Sequence, residues 1–289
     1  MPAPLAGRLF VLAAAILWST SGLFAKAPLF DDWPADVRGP LLAFYRAAFA
    51  AVVLLPIVRR PRFRWELVPL AACFTGMNVT YLSAMAITTA ANAIWLQSTA
   101  PWWVFLFGWL LHRALPQRAE MLPLVFAAAG VGLIVAFEVA GETPAGVVLG
   151  LTSGACYGAV VLGMRQLREE NVPWLVMLNH AVVAAALFPW VLWSGYRPSA
   201  HQLLVLAAFG TFQMAIPYML LLRGLRHIRS QEAVGIALVE PVVMPLWVFL
   251  VWGEVPAWWT ALGAALIFAG LLLRYLLLEW LLRRVRGRA

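Results

Sequence analysis

The 289-residue chain is 63% hydrophobic and 12% charged, with a mean hydropathy of +0.84, whereas an ordinary soluble domain is roughly one-quarter charged. This composition excludes a water-soluble globular fold. The formal net charge of +8 does not mark a nucleic-acid binder. Its arginines gather in short clusters beside apolar runs, as at Arg59, Arg60, Arg62 and Arg64 or Arg283, Arg284, Arg286 and Arg288, the pattern of anchoring at a lipid surface.

A hydrocarbon core of ~30 Å needs ~20 apolar residues of helix to cross it. Runs of that length lie at about 8–27, 39–58, 66–87, 90–111 and 120–138, then at about 145–164, 173–194, 202–223, 232–252 and 257–278. They predict an all-α integral membrane protein with ten transmembrane helices, leaving no segment for a soluble domain. A short N-terminal stretch ending at Arg8 precedes the first run and also fits a signal peptide. The segment Leu12 to Lys26 has a counterpart later in the chain, however, which favours a retained first helix.

Seventeen of the twenty-one Lys and Arg residues fall at the N-terminus, after helices two, four, six and eight, and at the C-terminus. The opposite side carries Asp31, Asp32, Asp36, Glu138, Glu142 and Glu254. The positive-inside bias predicts a multi-pass protein of the bacterial inner membrane with both termini cytoplasmic.

Comparing the chain with itself at an offset of 140 aligns Ala93 with Ala233, Pro101 with Pro241, Pro116 with Pro256 and Gly130 with Gly270. An offset of 139 in the first helix of each half pairs Trp18 with Tyr157 and Lys26 with Arg165. The chain therefore divides into residues 1–139, helices one to five, and residues 140–289, helices six to ten with a basic C-terminal tail. Five crossings per half is an odd number, so the two repeats are expected to have inverted topology, the arrangement that permits alternating access to a central site.

Leu17-Trp18-Ser19 in helix one, Phe44-Tyr45-Arg46 in helix two, Ala237-Leu238-Val239-Glu240-Pro241 in helix nine and Gly253-Glu254 at its end together resemble the drug/metabolite transporter superfamily. Within it the chain is similar to the ten-helix exporters with two EamA-type repeats, amino-acid exporters being the branch of first choice. The resemblance covers essentially the whole chain. It implies that helices one to four and six to nine surround a central cavity, with helices five and ten peripheral. It also implies export of amino acids, nucleosides, drugs or other small metabolites. The first repeat departs from the pattern, because His112 to Leu115 stand where a glycine-glutamate pair would fall.

Glu240 is about eight residues into helix nine, roughly 12 Å below the cytoplasmic end. A bare carboxylate at that depth is costly, so it needs a proton, a substrate amine or a basic partner; Pro241 beside it interrupts the helix. Arg46 and Lys26 are the cations that can pair with it or bind a substrate carboxylate, with snorkelling as the other reading of Lys26. His180, beside Asn179, is able to carry a proton or simply to pack. Trp18, Asn78, Tyr81, Trp95, Gln97, Tyr157, Gln213 and Tyr218 are costly toward lipid and are expected to line the interior. Aromatic walls with few charges suit an amphipathic solute such as an aromatic or other apolar amino acid. Gly146, Gly150, Gly154 and Gly158 recur every fourth residue of helix six and permit close backbone contact, either within the chain or across a dimer.

No metal cluster, phosphate loop, nucleophile elbow or catalytic dyad appears in the sequence; neither a cofactor nor enzymatic activity is expected. The reading is a secondary transporter exporting a small organic metabolite, most readily an amino acid, with proton coupling through Glu240. A drug or nucleoside exporter is the alternative, and a channel or intramembrane enzyme a more distant one.

Overall fold

The computed structural model describes residues 3–59, 61–112, 118–139, 144–167, 170–228, 233 and 236–286. Among them there is no strand. Helices α1 (Ala3–Ser19) and α2 (Ser21–Ala25) form the first segment, α3 (Ala35–Leu54) the second, and α4 (Leu67–Ile87) the third. The fourth is split into α5 (Ala90–Gln97) and α6 (Ala100–His112), and α7 (Arg118–Val139) completes the first half. The second half comprises α8 (Pro144–Gln166), α9 (Val172–Ser194), α10 (Ala200–Ala208), a π-helical stretch at Phe209–Ala215, α11 (Ile216–Gly224), α12 (Val239–Trp252) and α13 (Trp258–Arg286).

Among the described residues, six stretches are long and apolar enough to cross a membrane: Pro4–Ala25, Ala35–Ile57, Leu67–Ile87, Pro144–Met164, Val172–Ser194 and Ala200–Gly224. Shorter apolar helices occupy Ala128–Phe137, Val239–Trp252 and Trp258–Leu273. Their ends are written locally. Thr89 accepts the Asn92 amide ahead of α5, Asn171 accepts the Trp174 amide ahead of α9, and Ser199 with Gln202 forms a reciprocal capping box on α10. Helices α9 and α12 stop at Gly195 (φ 74°) and Gly253 (φ 69°), left-handed positions that a side chain would strain.

Proline explains two of the interior breaks. A proline ring clashes with the carbonyl four residues earlier. Pro101 thus ends α5 at Gln97, and α6 restarts at Ala100; Pro241 sets a turn at Leu238, after Ala237, and α12 starts at Val239. Glu240 therefore sits in the first turn of a half-helix. The sequence reading put it eight residues into a helix that broke beside it, and the interruption lies one turn nearer the N-terminus than that.

Packing joins the halves at several places. Helix α4 lies along α8 and α1 along α11; α3 packs on α9, and α7 on α13. The α7–α13 contact is a backbone approach, since a Cβ on Gly263 would come within 2.7 Å of the Gly130 carbonyl. The glycine stripe serves the interior of the chain. A Cβ on Gly146 would meet Thr88 at 2.8 Å, on Gly150 Leu96 at 2.8 Å, on Gly154 the Leu96 carbonyl at 2.9 Å, and on Gly158 Trp103 at 2.8 Å. Absent side chains on α8 thereby seat α5 and α6 against it, which in lipid must be achieved by close contact rather than by apolar burial from water.

Candidate transport site

Arg46, on α3, is fully buried, at 1% exposure. An uncompensated guanidinium there would cost several kcal/mol, and its neighbours answer that cost. Its guanidinium donates to the Asn78 side-chain oxygen on α4 and, at 3.2 Å, to Gln213 Oε1 in the π-helical stretch. It also stands over the Phe209 ring, 5.1 Å from the centroid. Asn78 in turn donates to the Phe74 carbonyl at 2.8 Å, and Gln213 donates to the Trp18 carbonyl at 3.3 Å. The wide π turn brings Gln213 and Phe209 to the same guanidinium. Among the described residues, one donor, Arg46 Nε, has no partner, nor do the Asn179 side-chain nitrogen and His180 Nε2 nearby.

Glu240 is within electrostatic reach of Arg46 and of the phenols of Tyr81, Tyr157 and Tyr218, but no described residue bonds it. Among the described residues, no ion pair joins it to Arg46. Glu240 is partly accessible, and Tyr157 is 41% exposed, so the cluster borders open space. Its walls are aromatic. Trp18 meets Tyr218 edge-on at 5.2 Å, and Tyr218 meets His180 at 6.0 Å. Tyr81 shares a polar contact with Ser21 at 3.3 Å, and both reach Met244 Sδ, at 3.5 and 3.2 Å. His180 is fixed by the Val176 carbonyl, 2.8 Å from Nδ1.

The structure thus gathers Trp18, Arg46, Asn78, Tyr81, Tyr157, His180, Gln213, Tyr218 and Glu240 into one neighbourhood. Trp95 is buried in the main apolar core, and Gln97 is occupied by Ser153, donating to its hydroxyl at 2.8 Å. Lys26 is also elsewhere. It pairs with Glu254 at 3.0 Å, not with Glu240, and donates to the Thr88 carbonyl at 2.6 Å, while Glu254 accepts the Ala90 amide at 2.7 Å.

This pair forms a clamp linking α2, the start of α5 and the end of α12. Trp252 Nε1 donates to the Leu23 carbonyl at 3.0 Å and Trp247 Nε1 to Ser19 Oγ at 3.1 Å, extending the same seam. Sequence reasoning missed Ser21, Met244 and the pairing of Glu254. The signal for the last was present, because Lys26 and Glu254 end their helices on the same predicted side.

A polytopic helical chain that interrupts its helices around a buried arginine, an unbonded carboxylate and three tyrosines has the construction of a membrane transporter. The model of the EamA-like transporter family matches residues 5–136 and again 144–276, and the chain belongs to that family. Two proteins of Archaeoglobus fulgidus, each described as an uncharacterized transporter, are similar over nearly their full length. One is 27% identical over 275 residues, covering 93% of this chain and 96% of its own; the other is 25% identical over 285 residues, covering 92% and 96%. A solved crystal structure at 19% identity shares the fold, with a TM-score of 0.67 over 94% of this chain and 96% of its own.

Proposed function

We propose that this transporter exports small organic metabolites, amino acids with aromatic or other apolar side chains first among them, by alternating access between two inverted five-helix halves. In this reading both termini face the cytoplasm of a bacterial cell, supported by the even number of expected crossings and the positive-inside bias, and the clamp closes the outer side. The observation carrying the reading is Glu240: a carboxylate at the start of a half-helix, bonded by no described residue, within reach of a buried arginine and three tyrosines. Interrupted helices at corresponding places in two halves are the usual pointer to a transporter's binding site. Here Pro101 and Pro241 are 140 residues apart, and both lie just inside a restarted helix.

The contacts between elements also support a two-fold relation. Exchanging the halves turns the α4–α8 contact into the α11–α1 contact and returns the α3–α9 and α7–α13 contacts to themselves. The chemistry suits a zwitterion: Glu240 takes an ammonium group, Arg46 offers its unpartnered Nε toward a carboxylate once the site opens, and Trp18, Tyr157 and Tyr218 stack on an apolar side chain. Glu240 also provides a group for proton exchange.

The test is uptake and counter-flow of radiolabelled aromatic and aliphatic amino acids in liposomes containing the purified protein, with and without a proton gradient. Saturable uptake stimulated by internal substrate is expected, and Glu240→Gln is expected to abolish its pH dependence. Transport by Glu240→Gln with an unaltered pH profile would remove Glu240 from the mechanism. If no amino acid moves with folded protein, that substrate class falls, and nucleosides and cationic drugs become the substrates to assay.

A further inference from the structure

A cavity of about 670 Å³ opens where the end of α3, the start of α9 and the end of α11 converge, and none of the residues gathered around Arg46 and Glu240 is among its described lining. Among the described residues its lining combines Arg59, Arg223 and Arg226 with Asn171 and the apolar Pro56, Ile57, Val172, Pro173, Met219 and Leu222, and includes no acidic residue. All three arginines are exposed, and none of their guanidinium groups has an ion pair or hydrogen bond to a described residue.

Among the described residues, the acid next to Asn171 in the chain is already engaged. Glu170 pairs with a fourth arginine, Arg64, at 3.2 Å and is 10% exposed, so it does not neutralise the cavity. The segment carrying Arg59 is also held in place: Trp174 Nε1 on α9 donates to the Arg62 carbonyl at 2.9 Å. Arginines anchored singly at a membrane surface have no reason to share a cavity. Here they arrive from two different connections and converge on one.

We propose that this cavity binds the headgroup of an anionic phospholipid from the leaflet on the arginine-rich side. A phosphodiester accepts the planar, forked donors of guanidinium groups, and basic pockets between transmembrane helices suit such headgroups. The lipid is favoured over a free phosphate by the walls. Six apolar residues line the cavity, and the chain continues into Leu55, 59% exposed, and Leu225, 36% exposed, surfaces that glycerol and acyl chains cover and inorganic phosphate does not. A headgroup held there bridges α9 and α11, whose direct contact is slight compared with that of α3 and α4 in the first half.

The experiment is native mass spectrometry of the purified full-length protein in neutral detergent, titrated separately with phosphatidylglycerol, phosphatidylcholine and inorganic phosphate. Retention of phosphatidylglycerol in preference to phosphatidylcholine is expected, without competition from phosphate. The triple variant R59Q/R223Q/R226Q should bind phosphatidylglycerol about a hundredfold more weakly, roughly fivefold per arginine. The charge-matched R283Q/R284Q/R286Q should bind it as the parent does.

Equal retention of the two lipids, or equal weakening in both triple variants, would overturn the site. Displacement of phosphatidylglycerol by phosphate at equal concentration would overturn the lipid as its occupant. Should the triple variant not fold, R223Q alone should weaken binding about fivefold, and parental affinity in R223Q would count against the proposal.

Discussion

Glu254→Gln isolates the charge of the Lys26–Glu254 clamp, because glutamine keeps an oxygen for the Ala90 amide while losing the ion pair to Lys26. The pair is 3.0 Å apart with side chains 19% and 21% exposed. It is therefore stronger than a surface pair of about 0.2–1 kcal/mol and weaker than a fully buried one, whose rupture costs about 3–5 kcal/mol. An intermediate of about 2 kcal/mol shifts a two-state equilibrium about thirtyfold.

If the clamp holds this side shut, that factor appears in accessibility beneath it. Ser21 is buried between Tyr81 and Met244 just inside the clamp, so Ser21→Cys in a C73A/C156A background is the reporter. The assay is the labelling rate with a membrane-impermeant thiol reagent in oriented vesicles. About thirtyfold faster labelling is expected with Glu254→Gln, and Lys26→Met should give a similar rate with no further increase when the two are combined. A change below about threefold in Glu254→Gln, under 1 kcal/mol, would refute the clamp as the element that closes this side.

The glycine stripe predicts an asymmetric response to one methyl group. Gly154→Ala, whose Cβ would press on the Leu96 carbonyl at 2.9 Å, should cost about 1–3 kcal/mol, whereas Gly132→Ala, with nothing within 4 Å, should be neutral or slightly stabilising, as thermal unfolding in detergent would report. Asn78→Ala removes a buried hydrogen bond to the Arg46 guanidinium and should lower stability by about 1.5–3 kcal/mol, measured by reversible unfolding in mixed micelles. Tyr218→Leu removes the edge-on contact with Trp18 and should raise the KM for aromatic substrates about threefold to tenfold while leaving aliphatic ones nearly unaffected, read from liposome uptake.

Much of the architecture was legible in the sequence because lipid imposes a simple rule: backbone polar groups must be satisfied within the segment, so each long apolar run reads as a helix. The same rule drew attention to Arg46, Asn78, Tyr81, Gln213, Tyr218 and Glu240, since polar side chains in apolar runs must find one another. The proline landmarks were visible too. Their mechanical consequence was less so, because the carbonyl that a proline ring displaces lies a turn upstream and moves the break away from the proline itself.

Partnership was left to the tertiary structure. Arg46 and Lys26 are both cations in the same half of the chain, and nothing in their local sequence says that one goes to Asn78 and Gln213 while the other goes to Glu254. Helix rotation and the crossing of distant segments decide it. Among the described residues, those factors draw Trp95 into the apolar core, occupy Gln97 with Ser153, and bring arginines from two separate connections to one cavity. Apolar periodicity sets which residues need an interior, whereas the partner each finds there depends on contacts between helices far apart in the chain, a geometry that no single segment contains.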